Sequence, residues 1–472
     1  MTSPTAPAPV STITAPGPNR ATTYLLRIAA AMSAVYAVHV VIDVARPPIA
    51  YRHKPPIGIL ADDFPISLKV AFWCMVAAWC VVLVGGATLL LRQRPVGWQF
   101  KLAAAAVLLL PFTTISLAEL FGHLGTLLIC VPSTVFALWA VYRFQRWRRI
   151  PVWLFLGAFG WGLLVAFGFG AATNTFVMEY GYNYFHGADM TQPLLQVYDR
   201  IDVANNVNAG LAEETGKGAA VALAYLIFRR YFDGLVTGVV LGAAVGLGFN
   251  LCESVLYMSA QAAEFQYFFR QSLGLMAAHT AFSAVVGAGF GLASQLTSAG
   301  QRRLAITAGL IAAAGTHYAN NALLTWYTEE SPNWFHAGPT FDILILQPVA
   351  VLIVQGPFVL LYVLLLRHGI RDQRVAVAAG LHAEAATGAG AITDAEVPIL
   401  LNPSRRLWLR IVSLRRYGPA TYRTLGRLHA AQFELLSSPT DSRNRPHQQI
   451  TQHRAALRTA LAAAGQRKAA IT

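Results

Sequence analysis

Charge is scarce in this chain. Asp, Glu, Lys and Arg make up 12% of its 472 residues, against 55% hydrophobic, which excludes an ordinary soluble domain and reads as a polytopic membrane protein. Cysteine is scarce as well. The four present (Cys74, Cys80, Cys130, Cys252) lie inside apolar segments and never at CxxC spacing, which excludes a disulfide framework or a zinc knuckle. No contiguous HExxH occurs, so the helix that carries both histidines of a zincin is missing. The first apolar segment, 24–45, is too long for a signal-peptide core and has no convincing cleavage site, so it is expected to be a membrane helix. Nor is there an internal repeat of the kind that builds an alternating-access carrier.

Acidic residues are outnumbered, 22 against 36 basic. That surplus needs no nucleic acid, because the basic residues sit in short loops and in the C-terminal tail, as cytoplasmic loops require. Apolar runs at about 24–45, 66–91, 102–121, 123–143, 152–172, 209–228, 234–259, 270–296, 303–327 and 341–366 predict an all-α, polytopic membrane bundle of about ten helices. A few residues around Gly122 separate the third and fourth runs and predict a tight hairpin, and 173–208 reads as a polar, aromatic loop with room for a short interfacial helix. Residues 1–23, rich in Pro, Thr, Ser and Ala, read as a disordered tail. The membrane domain is expected over 24–366. The remainder, 367–472, is soluble in character, with a surplus of ten positive charges, helical patterns near 419–437 and 447–465, and a linker over 378–404. Its charge suits anionic lipid or a cytosolic partner, a plain solvated face being the simpler reading. Loop charges place the protein in the cell membrane as a multi-pass chain with both termini cytoplasmic.

Polar residues interrupt four consecutive apolar runs. Glu213 and Glu214 begin one, with Lys217 one turn after Glu213 on the same face. Asn250, Glu253 and Tyr257 share a face of the next, His279 lies within the third, and His317 and Asn321 are a turn apart in the fourth. A lone histidine on an apolar face is ordinarily a satisfied core residue. Four helices in succession that each contribute Glu or His argue instead for one shared buried site, because ionisable groups at membrane depth need a partner or a task.

These motifs, taken together and in this order, resemble the PrsW family of intramembrane proteases, within the larger group that includes the type II CAAX prenyl endopeptidases. The matching features are Glu-Glu-x-x-Lys at 213–217, Gly-Phe-x-x-x-Glu with a following aromatic at 248–257, mid-helix His279, and His-x-x-x-Asn at 317–321, all within about 205–325. Ser254 stands where the family often has Asn. The resemblance implies an endopeptidase acting in the bilayer on a membrane-protein substrate, an anti-sigma factor being the best-known family case. By that analogy Glu213 is the general base and Glu214 orients the helix. Glu253 and His279 hold the water or a metal, and His317 with Asn321 polarises the carbonyl. Glu253, His279 and His317 would suffice for a catalytic zinc, and a glutamate-type mechanism without metal is equally compatible. The competing classes are an ion-coupled transporter with a Glu/His proton relay, and a non-catalytic binding protein of the same fold.

Overall fold

The computed structural model describes residues 84, 98–188, 194–260, 263–330, 338–437 and 443–469, and no strand occurs among them. The tail 1–23, the run 24–45 and all but one residue of 66–91 lie outside the described residues. The chain divides into two compact units, one drawing on 20–142 and 151–365, the other on 143–150 and 366–472.

The first unit is a helical bundle. Its helices are α1 (Trp98–Gly122), α2 (Leu124–Arg143), α3 (Val152–Trp161), α4 (Phe167–Ala188), α5 (Leu194–Asn208), α6 (Glu214–Ile227), α7 (Leu235–Ala260), α8 (Ala278–Ala293), α9 (Ala299–Glu330) and the start of α10 (Gln347–Ala386). Among the described residues, four stretches are long and apolar enough to cross a bilayer: Leu124–Arg143, Val152–Met178, Leu235–Ala260 and Leu344–Ala386. The outward faces carry the side chains that lipid would solvate, such as Leu128, Ile129 and Phe136 on α2 and Leu352, Ile353 and Leu360 on α10. This is an all-α membrane protein.

α7 is the axis on which the bundle is assembled. It is apolar all round, and its residues are buried from Leu235 to Val255 except for Glu253, as expected of a helix surrounded by others. Gly238, Gly242 and Gly246 form a stripe, one residue per turn, against antiparallel α8. A Cβ at these positions would land on the carbonyl oxygens of Gly287, Ser283 and His279 respectively. Small residues thus set the backbone spacing, which in lipid replaces the hydrophobic drive that water would supply. Gly248, half a turn on, does the same against Phe159 of α3. On that flank Phe249, Cys252 and Val255 pack with Leu120, Ala166 and Phe167.

Three expectations need revision. A single residue, His123, separates α1 from α2, and helical bonds cross the joint (His123 N–H to Glu119 O at 3.2 Å, Leu127 N–H to His123 O at 3.0 Å). The joint is therefore a break in one hydrogen-bond ladder, not a loop of several residues. The polar stretch 173–208 is helical over all its described residues, in α4 and α5, because its Asn and Thr side chains find partners inside the bundle and on the helix itself. The run 270–296 is not one helix either. A π-helical turn over Phe268–Leu273 stops at Gly274, whose N–H bonds Phe269 O at 2.7 Å, and α8 begins only at Ala278.

In the second unit, α10 continues helical to Ala386, and the expected linker 378–404 shrinks to a bend over 387–396 before α11 (Val397–Leu401). Then come α12 (Pro403–Tyr417), α13 (Pro419–Ser437) and α14 (Asn444–Ala469). Asn402 caps α12, its side-chain oxygen accepting the N–H groups of Ser404 and Arg405. Trp147, from 143–150, is buried with Leu381, Ile392, Leu400 and Phe433. This unit thus has an apolar core of its own.

Candidate functional site

Six ionisable groups from four segments converge in the bundle. Glu213 ends a π-helical turn over Ala209–Glu213 that joins α5 to α6 without a break. The extra residue of such a turn re-aims side chains, and π turns recur at functional positions for that reason. Glu213 and Glu214 thereby both face inward, each nearly inaccessible. Lys217, one turn along α6, is fully buried.

Lys217 is the hub. Its Nζ donates to Glu214 Oε1 at 2.8 Å and to Glu213 Oε2 at 3.2 Å, lies 2.9 Å from His279 Nδ1, and sits 3.7 Å above the centre of the Phe249 ring. A buried ammonium with this many partners is paired well enough to tolerate burial. The second oxygen of Glu213, Oε1, accepts from Asn174 Nδ2 at 2.9 Å, and Asn174 Oδ1 accepts from Asn208 Nδ2 at 2.6 Å.

Each histidine has a carboxylate behind it. His317 Nδ1 lies 3.0 Å from Glu214 Oε1, and its ring stacks on Phe282 at 5.0 Å. His279 Nε2 contacts Glu253 Oε2, which also accepts from Arg270 Nη1 at 2.8 Å. A carboxylate on one ring nitrogen takes its N–H and leaves the other nitrogen a lone pair. The nitrogens left with lone pairs are then His279 Nδ1, which accepts from Lys217 Nζ, and His317 Nε2, which faces Glu213. His317 Nε2 is 3.9 Å from Glu213 Oε2, too far for a direct hydrogen bond and a suitable span for one bridging water.

Arg270 carries the outer rim. Its guanidinium also lies over Tyr257 at 3.9 Å and donates to Gln266 Oε1 at 3.1 Å. Asn250 reaches the Arg270 carbonyl at 3.4 Å. Ser254 donates to the Asn250 carbonyl at 2.6 Å and accepts from Gln271 Nε2 at 2.8 Å, so the residue that departs from the family pattern is fully employed. Three carboxylates face two permanent cations here, leaving a surplus negative charge in a buried place. Glu214 Oε2, buried, has no hydrogen-bond partner among the described residues.

The residues singled out in the sequence thus divide. Glu213, Glu214, Glu253, His279 and His317 meet in one cluster with Lys217. Asn321 is a turn beyond His317, where its Oδ1 accepts from Asn320 Nδ2 at 3.3 Å, and it is not among the hydrogen-bonded groups of the cluster. Among the described residues, the three metal-ligating side chains that lie together are Glu213, His279 and His317, with donor atoms within 4.8 Å of one another and all buried. Glu253, which the sequence reading put with the two histidines, lies against His279 with its Oε2 also held by Arg270. One carboxylate and two imidazoles oriented by outer carboxylates are a donor set that zinc accepts, and the unpartnered Glu214 Oε2 beside them is consistent with a further occupant. Asn174 and Arg270 were not singled out in the sequence. Asn174 could have been noticed as an amide within an otherwise apolar helix. Arg270 reads as an ordinary helix-end arginine until the turn after it is seen.

A helical membrane protein whose buried carboxylates, imidazoles and lysine close on a common centre has the make-up of an enzyme working within the bilayer. Residues 150–354 match the model of a family described as PrsW family intramembrane metalloprotease, and every residue of the cluster lies inside that stretch. The resemblance seen in the motifs therefore extends over residues 150–354 and supports a membrane protease. No curated protein and no solved structure matches the chain.

Proposed function

We propose that the chain is an intramembrane endopeptidase that hydrolyses a peptide bond of a membrane-associated protein, an anti-sigma factor being one substrate that fits. The observation that carries this is the buried meeting of Glu213 with two carboxylate-backed histidines, their donor atoms within 4.8 Å of one another. In this reading the water lies between Glu213 Oε2 and His317 Nε2, and Glu213 takes its proton as it attacks the scissile carbonyl. Asn174 and Lys217 hold the Glu213 carboxylate from either side so that it cannot turn away. The oxyanion that forms is stabilised by the Lys217 ammonium and by the side chain of Asn321 at the rim. The proton then passes from Glu213 to the leaving amine. Glu214 and Glu253 keep His317 and His279 in the tautomers that present lone pairs to the centre.

Where zinc is used, Glu213, His279 and His317 would hold it, and it would acidify a bound water and polarise the carbonyl. Glu214, with its unpartnered oxygen, is then the proton acceptor. The same proposal includes the topology that the loop charges favour, about ten spans with both termini cytoplasmic. Co-expression of a tagged single-span substrate with the wild-type chain and with Glu213→Ala, followed by blotting, tests the activity. A fragment that appears with both chains refutes it.

A further inference from the structure

In the second unit, helix α12 is turned inside out relative to an ordinary surface helix. Its inward side carries Arg406, Arg410 and Ser413. Arg406 Nη2 donates to the Arg146 carbonyl at 2.5 Å and its guanidinium lies over Phe433, while Arg410 lies over Tyr422 at 4.2 Å. Its outward side carries Leu407, Trp408, Ile411 and Leu414, at i, i+1, i+4 and i+7. Trp408 is 63% exposed, Leu414 41% and Leu407 38%. Single exposed hydrophobics are ordinary, but a contiguous stripe containing a tryptophan marks a contact surface.

We infer that this face of α12 docks on a bilayer surface containing anionic lipid. Two observations favour lipid over a protein partner. Exposed Arg405 and Arg416 lie beside the stripe, Arg415 lies at its C-terminal end one turn after Ile411, and the helix has five arginines and no acid. That combination of apolar stripe, cationic margin and interfacial Trp is what lets a helix lie in the headgroup layer with its apolar side about 5–10 Å deep. The unit is also tied covalently to the membrane bundle through α10, so docking is intramolecular and needs little affinity of its own. Nucleic acid, the other polyanion, offers nothing to the apolar stripe.

The test uses the full chain in nanodiscs, with the native cysteines replaced and the environment-sensitive fluorophore NBD attached at Trp408→Cys. In discs of phosphatidylcholine with added phosphatidylserine, the emission should be blue-shifted and intense relative to phosphatidylcholine alone. Replacing Arg405, Arg415 and Arg416 with Gln should weaken partitioning by about a hundredfold, at roughly fivefold per arginine, and abolish the difference between lipids. A second label at Arg423→Cys, on the exposed side of α13, reports whether the unit remains folded. Water-like emission from position 408 in both lipids overturns the proposal. So does an equal blue shift in both lipids and in detergent, since protein then covers the face.

Discussion

Removing the hub cation is the most decisive perturbation of the cluster. Lys217→Met keeps the length of the stem and deletes the ammonium, leaving Glu213 Oε2 and Glu214 Oε1 without the donor they share. Hydrogen bonds to charged groups contribute about 1.5–3 kcal/mol each, and breaking one side of a buried ion pair costs about 3–5 kcal/mol. Because Lys217 is fully buried, no solvent screens the two carboxylates it leaves behind, and a loss of about 3 kcal/mol or more is expected for the metal-free bundle. Reversible unfolding in mixed micelles measures it. The double variant Lys217→Met with Glu214→Gln should recover a large part of the loss, since one of the stranded charges is gone. Zinc supplies the missing positive charge from the other direction. At a hundred times its dissociation constant it should restore about 2.7 kcal/mol to Lys217→Met, and less to the wild type, where the ammonium lies on the same oxygen and imidazole that would bind the metal. A Lys217→Met chain within about 0.5 kcal/mol of wild type, or zinc stabilising both chains equally, would refute this account of the hub.

Other outcomes follow from the same geometry. Replacing Glu213, Glu253, His279 or His317 singly with Ala should abolish cleavage with insertion intact, and more than about a tenth of wild-type rate in a variant removes that residue from the catalytic set. Gly246→Ala puts a methyl group onto the His279 carbonyl; it should cost about 1–3 kcal/mol by overpacking and lower turnover more than Gly356→Ala, which meets nothing. A chain ending near Gly369 retains every cluster residue and should keep some proteolysis, read by the same substrate blot, whereas complete loss in a properly inserted chain makes the second unit essential. Burial, with Arg406 and Arg410 nearby, pushes His429 down to about 4. Its unfolded form takes up a proton near pH 6.5 and its folded form does not, so the second unit should lose stability, by at most about 3 kcal/mol, as pH falls from about 6.5 to 4. Hydrogen exchange in α13 reads this, and His429→Gln should flatten the profile.

The sequence shows the site better than it shows the helices that hold it. Glu213, Glu253, His279 and His317 stand out because each breaks an apolar run, and such a break is visible one residue at a time. Their partnerships are not. Lys217 shares a face with Glu213 by spacing, but its contact with His279 spans 62 positions, and nothing local encodes it. The same applies to Asn174, which meets Glu213 from a stretch whose aromatic and polar composition looks like a loop. The ion pair of Glu253 with Arg270 depends on a π turn that leaves no mark in hydrophobic periodicity. In the tail, the patterns near 419–437 and 447–465 fall within observed helices, while 378–404 looked like a linker because its alanines and glycines carry little periodic signal.

The π turn before Glu214 also makes the rod formed by α5 and α6 a mechanical element. An α-helix advances about 100° per residue, so relaxing the one extra residue would rotate α6 by about that much relative to α5. Glu213 and Glu214 are adjacent, and such a rotation would carry one carboxylate into the place of the other. The two could not both keep their present partners, Asn174 on one side and His317 on the other. The surplus residue at 209–213 therefore sets which partners each carboxylate has: as wound, Glu213 is held by Asn174 and Lys217, and Glu214 by Lys217 and His317.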